Sequence, residues 1–148
     1  MNRRLVDRAI GNTCWSGPSG RSCYIFNTNQ VVWQTARSTC LQDGGHLVTL
    51  ETEGESDFIL QILRSSSEYA SYNWWNAAND IDNEGVWVWA DINQPVTIDR
   101  WGSTLGGIEP NNEGGQEHCG ELRSDFNFLL NDSQCTKKFM FICEYEWN

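Results

Sequence analysis

The sequence has no run of apolar residues near the ~18 that a membrane-spanning helix requires, so membrane insertion is not expected. Basic residues are also scarce: Lys and Arg number 10 against 20 Asp and Glu, and the formal net charge is -10. Because proteins bind nucleic acids and anionic membranes through Lys and Arg, this balance argues against both partners. The excess of acid instead favours a site that binds cations.

Histidine is scarce too, with 2 copies in 148 residues, and no Cys-x-x-Cys pair occurs. A structural zinc site built from Cys and His is therefore not expected. The 6 cysteines point instead to disulfides in an oxidising compartment, although their count alone leaves the pairing open. They are Cys14, Cys23, Cys40, Cys119, Cys135 and Cys143.

The first residues, Met1 to Arg8, contain no apolar stretch of the kind found in a signal peptide. Since the cysteines indicate secretion, we expect the mature form of a secreted, extracellular protein, with Met1 added for expression. Residues 1–13 are predicted to form an N-terminal arm. Residues 14–148 are predicted to form one domain, which is long enough to bury a core.

The first predicted helix carries Trp33, Ala36 and Cys40 at helical spacing, which predicts one buried face. Asn29 is available as its N-terminal cap, and Gly44-Gly45 ends it.

The second predicted helix begins at a capping box, with Thr52 at the cap and Glu55 three residues on. Its apolar face is formed by Phe58, Ile59, Ile62 and Leu63. Short strands are predicted at residues 23–26, 46–50, 72–75, 86–90, 117–122, 126–130 and 138–146. The predicted fold class is therefore α+β.

The long segment from Asp91 to Gly115 is rich in Gly, Asn and Pro and has little periodicity, so we expect it to be functional. It contains Glu109-Pro110-Asn111, and Glu117 and Asn131-Asp132 follow it. Carboxylate and amide oxygens are the ligands that Ca²⁺ prefers. A cis Glu109–Pro110 bond would turn the two flanking side chains towards one ion. The residues therefore predict calcium as a cofactor, and an acidic, solvated loop is the alternative.

At these residues the chain resembles the C-type lectin family, and the resemblance covers about residues 14–146. The matching motifs occur in the family's order: Cys14-Trp15, Cys23-Tyr24, Trp33 with Cys40, Gly44-Gly45-His46-Leu47, Trp75, Glu84-Gly85-Val86-Trp87-Val88-Trp89, Glu109-Pro110-Asn111, Asn131-Asp132 and Phe141-Ile142-Cys143-Glu144. The resemblance implies an α+β domain with two helices, two small antiparallel sheets and a long calcium-binding loop region. It also implies the disulfides Cys14–Cys23, Cys40–Cys143 and Cys119–Cys135.

The resemblance further implies a sugar-binding calcium site. Its ligands would be Glu109, Asn111, Glu117, Asn131 and Asp132. Two neighbouring sugar hydroxyls would complete the coordination of the ion and hydrogen-bond to four of these side chains, those of Glu109, Asn111, Glu117 and Asn131. Trp101 is a further candidate for contact with the sugar, as is Trp74.

A second metal site is implied at Asp80, Glu84 and Asn112. Family members often carry acids at all the positions of that site. Here Asn112 and His118 stand in place of two of them, which lowers the negative charge available to a second calcium ion.

The function implied is that of a secreted, calcium-dependent lectin for cell-surface or microbial glycans, without enzymatic activity. In the family, Glu-Pro-Asn usually accompanies mannose-type sugars, whose 3- and 4-hydroxyls are both equatorial. The segment Gly102–Ile108 is longer than the family's usual link and leaves a galactose-binding pocket open as an alternative. A module that binds a protein, mineral or ice surface is a second alternative, and a hydrolase using Glu109 and Glu117 is a third. No cysteine is left over, so any homo-oligomer would be non-covalent.

Overall fold

The structure is a computed structural model that describes residues 13–18, 20–104 and 107–147. The predicted N-terminal arm lies outside these residues, apart from Thr13. The helices are α1 (Trp33–Gln42) and α2 (Glu53–Ser65). The strands are β1 (Cys14–Gly17), β2 (Gly20–Val31), β3 (His46–Leu47), β4 (Trp74–Asn79), β5 (Val88–Trp89), β6 (Gln94–Pro95), β7 (Ser103–Thr104), β8 (Gly107–Ile108), β9 (Cys119–Arg123), β10 (Leu129–Ser133) and β11 (Phe139–Trp147). Neither helix is long and apolar enough to cross a membrane.

Helix α1 forms where the spacing of apolar residues predicts it, and Trp33, Ala36 and Cys40 are buried. The predicted cap is wrong, because Asn29 lies inside β2 and Val32 occupies the cap position without a side-chain hydrogen bond. The chain stays extended past Asn29 because β2 remains paired with β11 as far as Val31. The predicted end of the helix is confirmed.

Helix α2 starts at the predicted cap, where Thr52 Oγ1 accepts a hydrogen bond from the Glu55 backbone nitrogen at 3.2 Å. The other half of the capping box differs. The Glu55 carboxylate accepts from the backbone nitrogen of Glu51 at 3.1 Å and from the Tyr24 hydroxyl. One acidic side chain therefore ties the start of α2 to the preceding loop and to β2.

The α+β class with two helices is confirmed, but the strands are more connected than predicted. Within the described chain, nine strands form one mixed sheet and only β7 and β8 stand apart as a hairpin. Strand β11 joins the two halves of this sheet, because it pairs antiparallel with β2 and parallel with β4. Strands β9 and β10 extend the sheet from β4 and carry the end of the long loop.

Several predicted strands are shorter or shifted. The run 46–50 is a strand only at His46–Leu47, and the run 72–75 is displaced to Trp74–Asn79. The run 86–90 pairs only at Val88–Trp89. The run 126–130 begins late, because Asn127 and Phe128 have positive φ angles and strand β10 starts only at Leu129.

The core is built around tryptophan. Trp33, Trp74, Trp75 and Trp89 are fully buried, so Trp74 does not face a ligand as the sequence allowed. The indole nitrogen of Trp33 donates to the Asn76 carbonyl at 2.9 Å, which satisfies its buried polar atom.

The three disulfides have the pairing that the family resemblance implies. Cys40–Cys143 joins α1 to β11, and Cys119–Cys135 joins β9 to the segment after β10. The second of these bonds holds the start of β9, two residues after Glu117, to the segment that follows Asn131 and Asp132 of β10.

Candidate metal centre

The loop that contains Glu109-Pro110-Asn111 is anchored to strand β10 by Asp132. The Glu109–Pro110 peptide bond is cis, which is the conformation that would turn the two flanking side chains towards one ion. The backbone nitrogen of Asn111 donates to Asp132 Oδ1 at 3.2 Å, and that of Asn112 donates to Asp132 Oδ2 at 2.5 Å. Asp132 is fully buried, so these bonds compensate part of the cost of burying its carboxylate.

Glu109 is a buried acid of the loop whose carboxylate has few hydrogen-bond partners. Only 5% of its surface is exposed, and its Oε2 accepts from Asn111 Nδ2 at 3.3 Å. Its Oε1 is buried and has no hydrogen-bond partner among the described residues. Burial, and with it the neighbouring carboxyls of Asp132 and Glu117, raises the pKa of Glu109 to about 7. A cation bound here would remove this electrostatic penalty.

Glu117 and Asn111 meet at one backbone group. The nitrogen of Glu113 donates to Asn111 Oδ1 at 3.1 Å and to Glu117 Oε1 at 3.1 Å. Burial raises the pKa of Glu117, and the charge of Asp132 adds to this effect. Four of the five predicted ligands, Glu109, Asn111, Glu117 and Asp132, are thus linked by hydrogen bonds or by charge.

The fifth predicted ligand, Asn131, precedes Asp132 on β10 and makes a different contact. Its amide nitrogen donates to Glu121 Oε1 at 2.6 Å, because the two residues are cross-strand partners of β10 and β9. Glu121 is 3% exposed, its Oε2 has no partner among the described residues, and burial raises its pKa to about 7. Sequence reasoning missed Glu121, since only the strand register reveals that it faces Asn131.

Trp101 lies next to this site but is partly buried. Its ring contacts that of Trp87 edge-on, with the centroids 5.1 Å apart, and its backbone bridges to Leu130. Contact between Trp101 and a sugar remains a prediction.

The residues of the second predicted metal site also come together, with His118 among them. His118 Nδ1 lies 3.0 Å from Asp80 Oδ1 and 3.6 Å from Glu84 Oε1. Asn112 Nδ2 donates to Glu84 Oε1, and Asn112 Oδ1 accepts from the Glu117 nitrogen at 2.9 Å. Asn112 therefore connects the two clusters.

The five predicted ligands of the loop site fit Ca²⁺. The side chains offer only oxygen ligands, namely three carboxylates and two amides, and Ca²⁺ takes 6–8 oxygens. The buried, unpartnered Oε1 of Glu109 is the kind of atom that a metal ion satisfies.

A loop of this kind, held by a buried aspartate at the edge of a mixed sheet beside two helices, belongs to the C-type lectin class of folds. A model of the lectin C-type domain family matches residues 29–145, and the chain belongs to this family.

Among curated proteins, the chain is similar to perlucin of Haliotis laevigata, with 36% identity over 127 residues that cover 85% of this chain and 77% of perlucin. Among solved structures, it resembles the carbohydrate-recognition domain of the mouse scavenger receptor C-type lectin, with 27% identity and a TM-score of 0.73, covering 86% of this chain and 92% of that one. Herring type II antifreeze protein has a TM-score of 0.71 at 23% identity, over 86% of this chain and 92% of that one, which shows the fold alone.

Proposed function

We propose that the protein is a secreted, calcium-dependent lectin that binds mannose-type sugars through the loop site. The observation that carries the proposal is the buried Oε1 of Glu109, which has no partner among the described residues and lies in a cluster with Asp132 and Glu117. Ionised acids that lie close together repel each other, so without a cation they raise the free energy of the folded state. The ion would be held by Glu109, Asn111, Glu117, Asn131 and Asp132.

The side chains of the loop site have different roles in binding a sugar. A bound Ca²⁺ supplies coordination positions that two neighbouring sugar hydroxyls can fill. Glu109 and Glu117 accept hydrogen bonds from those hydroxyls, whereas the amide nitrogen of Asn111 donates one. Glu121 holds the amide nitrogen of Asn131 and leaves the amide oxygen for the ion.

The order of acid and amide in Glu109-Pro110-Asn111 underlies the preference for mannose-type sugars. It fixes which hydroxyl meets an acceptor and which meets a donor, and this order suits equatorial 3- and 4-hydroxyls. The axial 4-hydroxyl of galactose needs another approach, normally helped by an aromatic face. Such a pocket would differ at the hairpin of β7 and β8. The two residues that flank this hairpin are joined by a hydrogen bond, in which the Glu109 nitrogen donates to the Gly102 carbonyl at 2.9 Å.

We propose binding without catalysis. The Glu109 and Glu117 carboxylates, which a hydrolase would need as acid and base, each accept a hydrogen bond within the loop. As metal ligands they would be fixed in their ionised form.

The test is elution from a mannan support in the presence of calcium. Mannose and chelator should release the protein, whereas galactose should do so much less well. The double variant Glu109→Gln with Asn111→Asp keeps the charge of the loop, so it should lose mannose binding and retain calcium binding. Glu68→Gln, an exposed acid on the segment after α2, is the matched control. Release by galactose in preference to mannose would contradict the specificity but not the calcium-dependent binding of sugars.

The alternative is that the same fold binds a protein, mineral or ice surface, with calcium only bracing the loop. The likeness to an antifreeze protein shows that this fold does not by itself determine a sugar ligand. Failure of every free monosaccharide to compete, on a protein that still binds calcium, would favour this alternative.

A further inference from the structure

A separate group of potential ligands lies where β3 pairs with β11. His46 and Glu144 are direct cross-strand partners, and Glu146, two residues after Glu144, lies on the same face of β11. One ligand atom from each of the three residues lies within 4.8 Å of the other two. The strand pairing thus brings an imidazole and two carboxylates together.

The orientation of the His46 ring leaves one nitrogen available. Nδ1 lies 2.7 Å from the Leu47 carbonyl oxygen, which can only accept, so Nδ1 carries the hydrogen and donates. In the neutral ring, Nε2 then presents a lone pair towards Glu146 Oε1, which is 2.9 Å away. Two acceptors do not attract each other, so a proton or a metal ion must lie between them.

Glu144 is fixed in place by its neighbours. It is 2% exposed, its Oε2 accepts from Ser22 Oγ at 2.7 Å, and its Oε1 accepts from the Thr49 nitrogen at 3.0 Å. Glu146 is by contrast half-exposed. Both glutamates line a cavity of about 190 Å³, which gives a ligand access to them.

The electrostatic surroundings favour positive charge at His46. Burial alone lowers its pKa, but the Glu144 carboxylate, the Leu47 carbonyl and Glu146 outweigh burial and raise the pKa above its ordinary value.

We infer that His46, Glu144 and Glu146 form a binding site for a divalent transition-metal ion, of which Zn²⁺ is the best match. One imidazole and two carboxylates with an exposed side suit Zn²⁺, whereas Ca²⁺ takes oxygen ligands. The Nδ1 donor to a backbone carbonyl is the arrangement that orients metal-binding histidines. Since all six cysteines are in disulfides, no thiolate competes for the ion. The site is built from other elements than the loop site and does not depend on its function.

The test is titration of the full chain with Zn²⁺ by calorimetry, after chelation and in excess Ca²⁺. The wild type should bind Zn²⁺ at a site that His46→Gln weakens by about tenfold or more. His118→Gln tests whether the group of Asp80, Glu84 and His118 binds the ion instead. Glu68→Gln, which removes an exposed acid outside both groups, is the matched control. It should leave this binding unchanged.

A second variant guards against misfolding. Glu146→Gln alters a half-exposed side chain, so it should fold normally and still weaken Zn²⁺ binding. The His46 ring nitrogen signals in NMR should shift on addition of Zn²⁺. Wild-type affinity in both variants, loss of binding only in His118→Gln, or a His46 signal that titrates with protons and ignores Zn²⁺ would each overturn the inference.

Discussion

Replacement of the buried acid Glu121 by glutamine should have a more favourable effect on stability at pH 8 than at pH 5. The quantity compared is the free energy of unfolding of Glu121→Gln minus that of wild type. Burial raises the pKa of Glu121 from 4.5 to about 7. The folded state therefore holds the proton more tightly than the unfolded state does. Stability from this group is present at low pH and is lost as the pH rises from about 4.5 to about 7.

The shift of about 2.5 units corresponds to about 3.4 kcal/mol at a pH well above 7, using about 1.4 kcal/mol per unit. Between pH 5 and pH 8 the linkage relation gives a change of about 2.5 kcal/mol. Glutamine does not titrate, and its oxygen can still accept the hydrogen bond from Asn131 Nδ2. The unfolding free energy of Glu121→Gln minus that of wild type should therefore grow by about 2.5 kcal/mol over this range.

The assay is urea unfolding followed by tryptophan fluorescence, with chelator present at both pH values. Any constant cost of the extra amide group cancels in the comparison between the two pH values. Glu68→Gln, which removes an exposed acid, should show no such change. A difference between Glu121→Gln and wild type that stays constant or shrinks from pH 5 to pH 8 would refute the reasoning.

Three further outcomes are expected. Chelation should lower the melting temperature and increase proteolysis within about residues 91–117, because calcium at 100 times its Kd adds about 2.7 kcal/mol, and identical melting curves would contradict this. The double variant Cys119→Ser with Cys135→Ser should lose about 3 kcal/mol in denaturant unfolding, because the bond closes a loop with a sequence separation of 16. Leu63→Ala, at a fully buried position of α2, should cost about 2–5 kcal/mol in the same assay, and a loss below about 1 kcal/mol would show that the site collapses around the missing atoms.

The features that the sequence predicts well are local ones. Thr52 caps α2 because the bond it makes spans three residues. The Glu109-Pro110-Asn111 turn is likewise contained in three successive residues. The prediction of Asn29 as a cap is wrong because β2 continues to Val31 by pairing with β11, which lies more than a hundred residues further along the chain.

The features that the sequence does not predict depend on register and on burial. Every residue of β4 is buried, so no alternation of polar and apolar residues reveals which way Trp74 points. The contact of Asn131 with Glu121 and that of His46 with Glu144 each require a known strand pairing. Local spacing therefore predicts the loop residues that we propose as ligands, but it predicts neither the contact of Glu121 with Asn131 nor the cluster of His46 with Glu144 and Glu146.

The central position of β11 has a consequence for biosynthesis. During vectorial synthesis β11 leaves the ribosome after both of its main partners, β2 and β4. Cys14 and Cys23 can join early, but Cys40 must wait for Cys143, 103 residues later. In an oxidising compartment Cys40 is meanwhile exposed to the wrong partners, and native pairing then requires thiol–disulfide exchange. The yield of correctly folded protein should thus depend on a disulfide isomerase more than on the rate of translation.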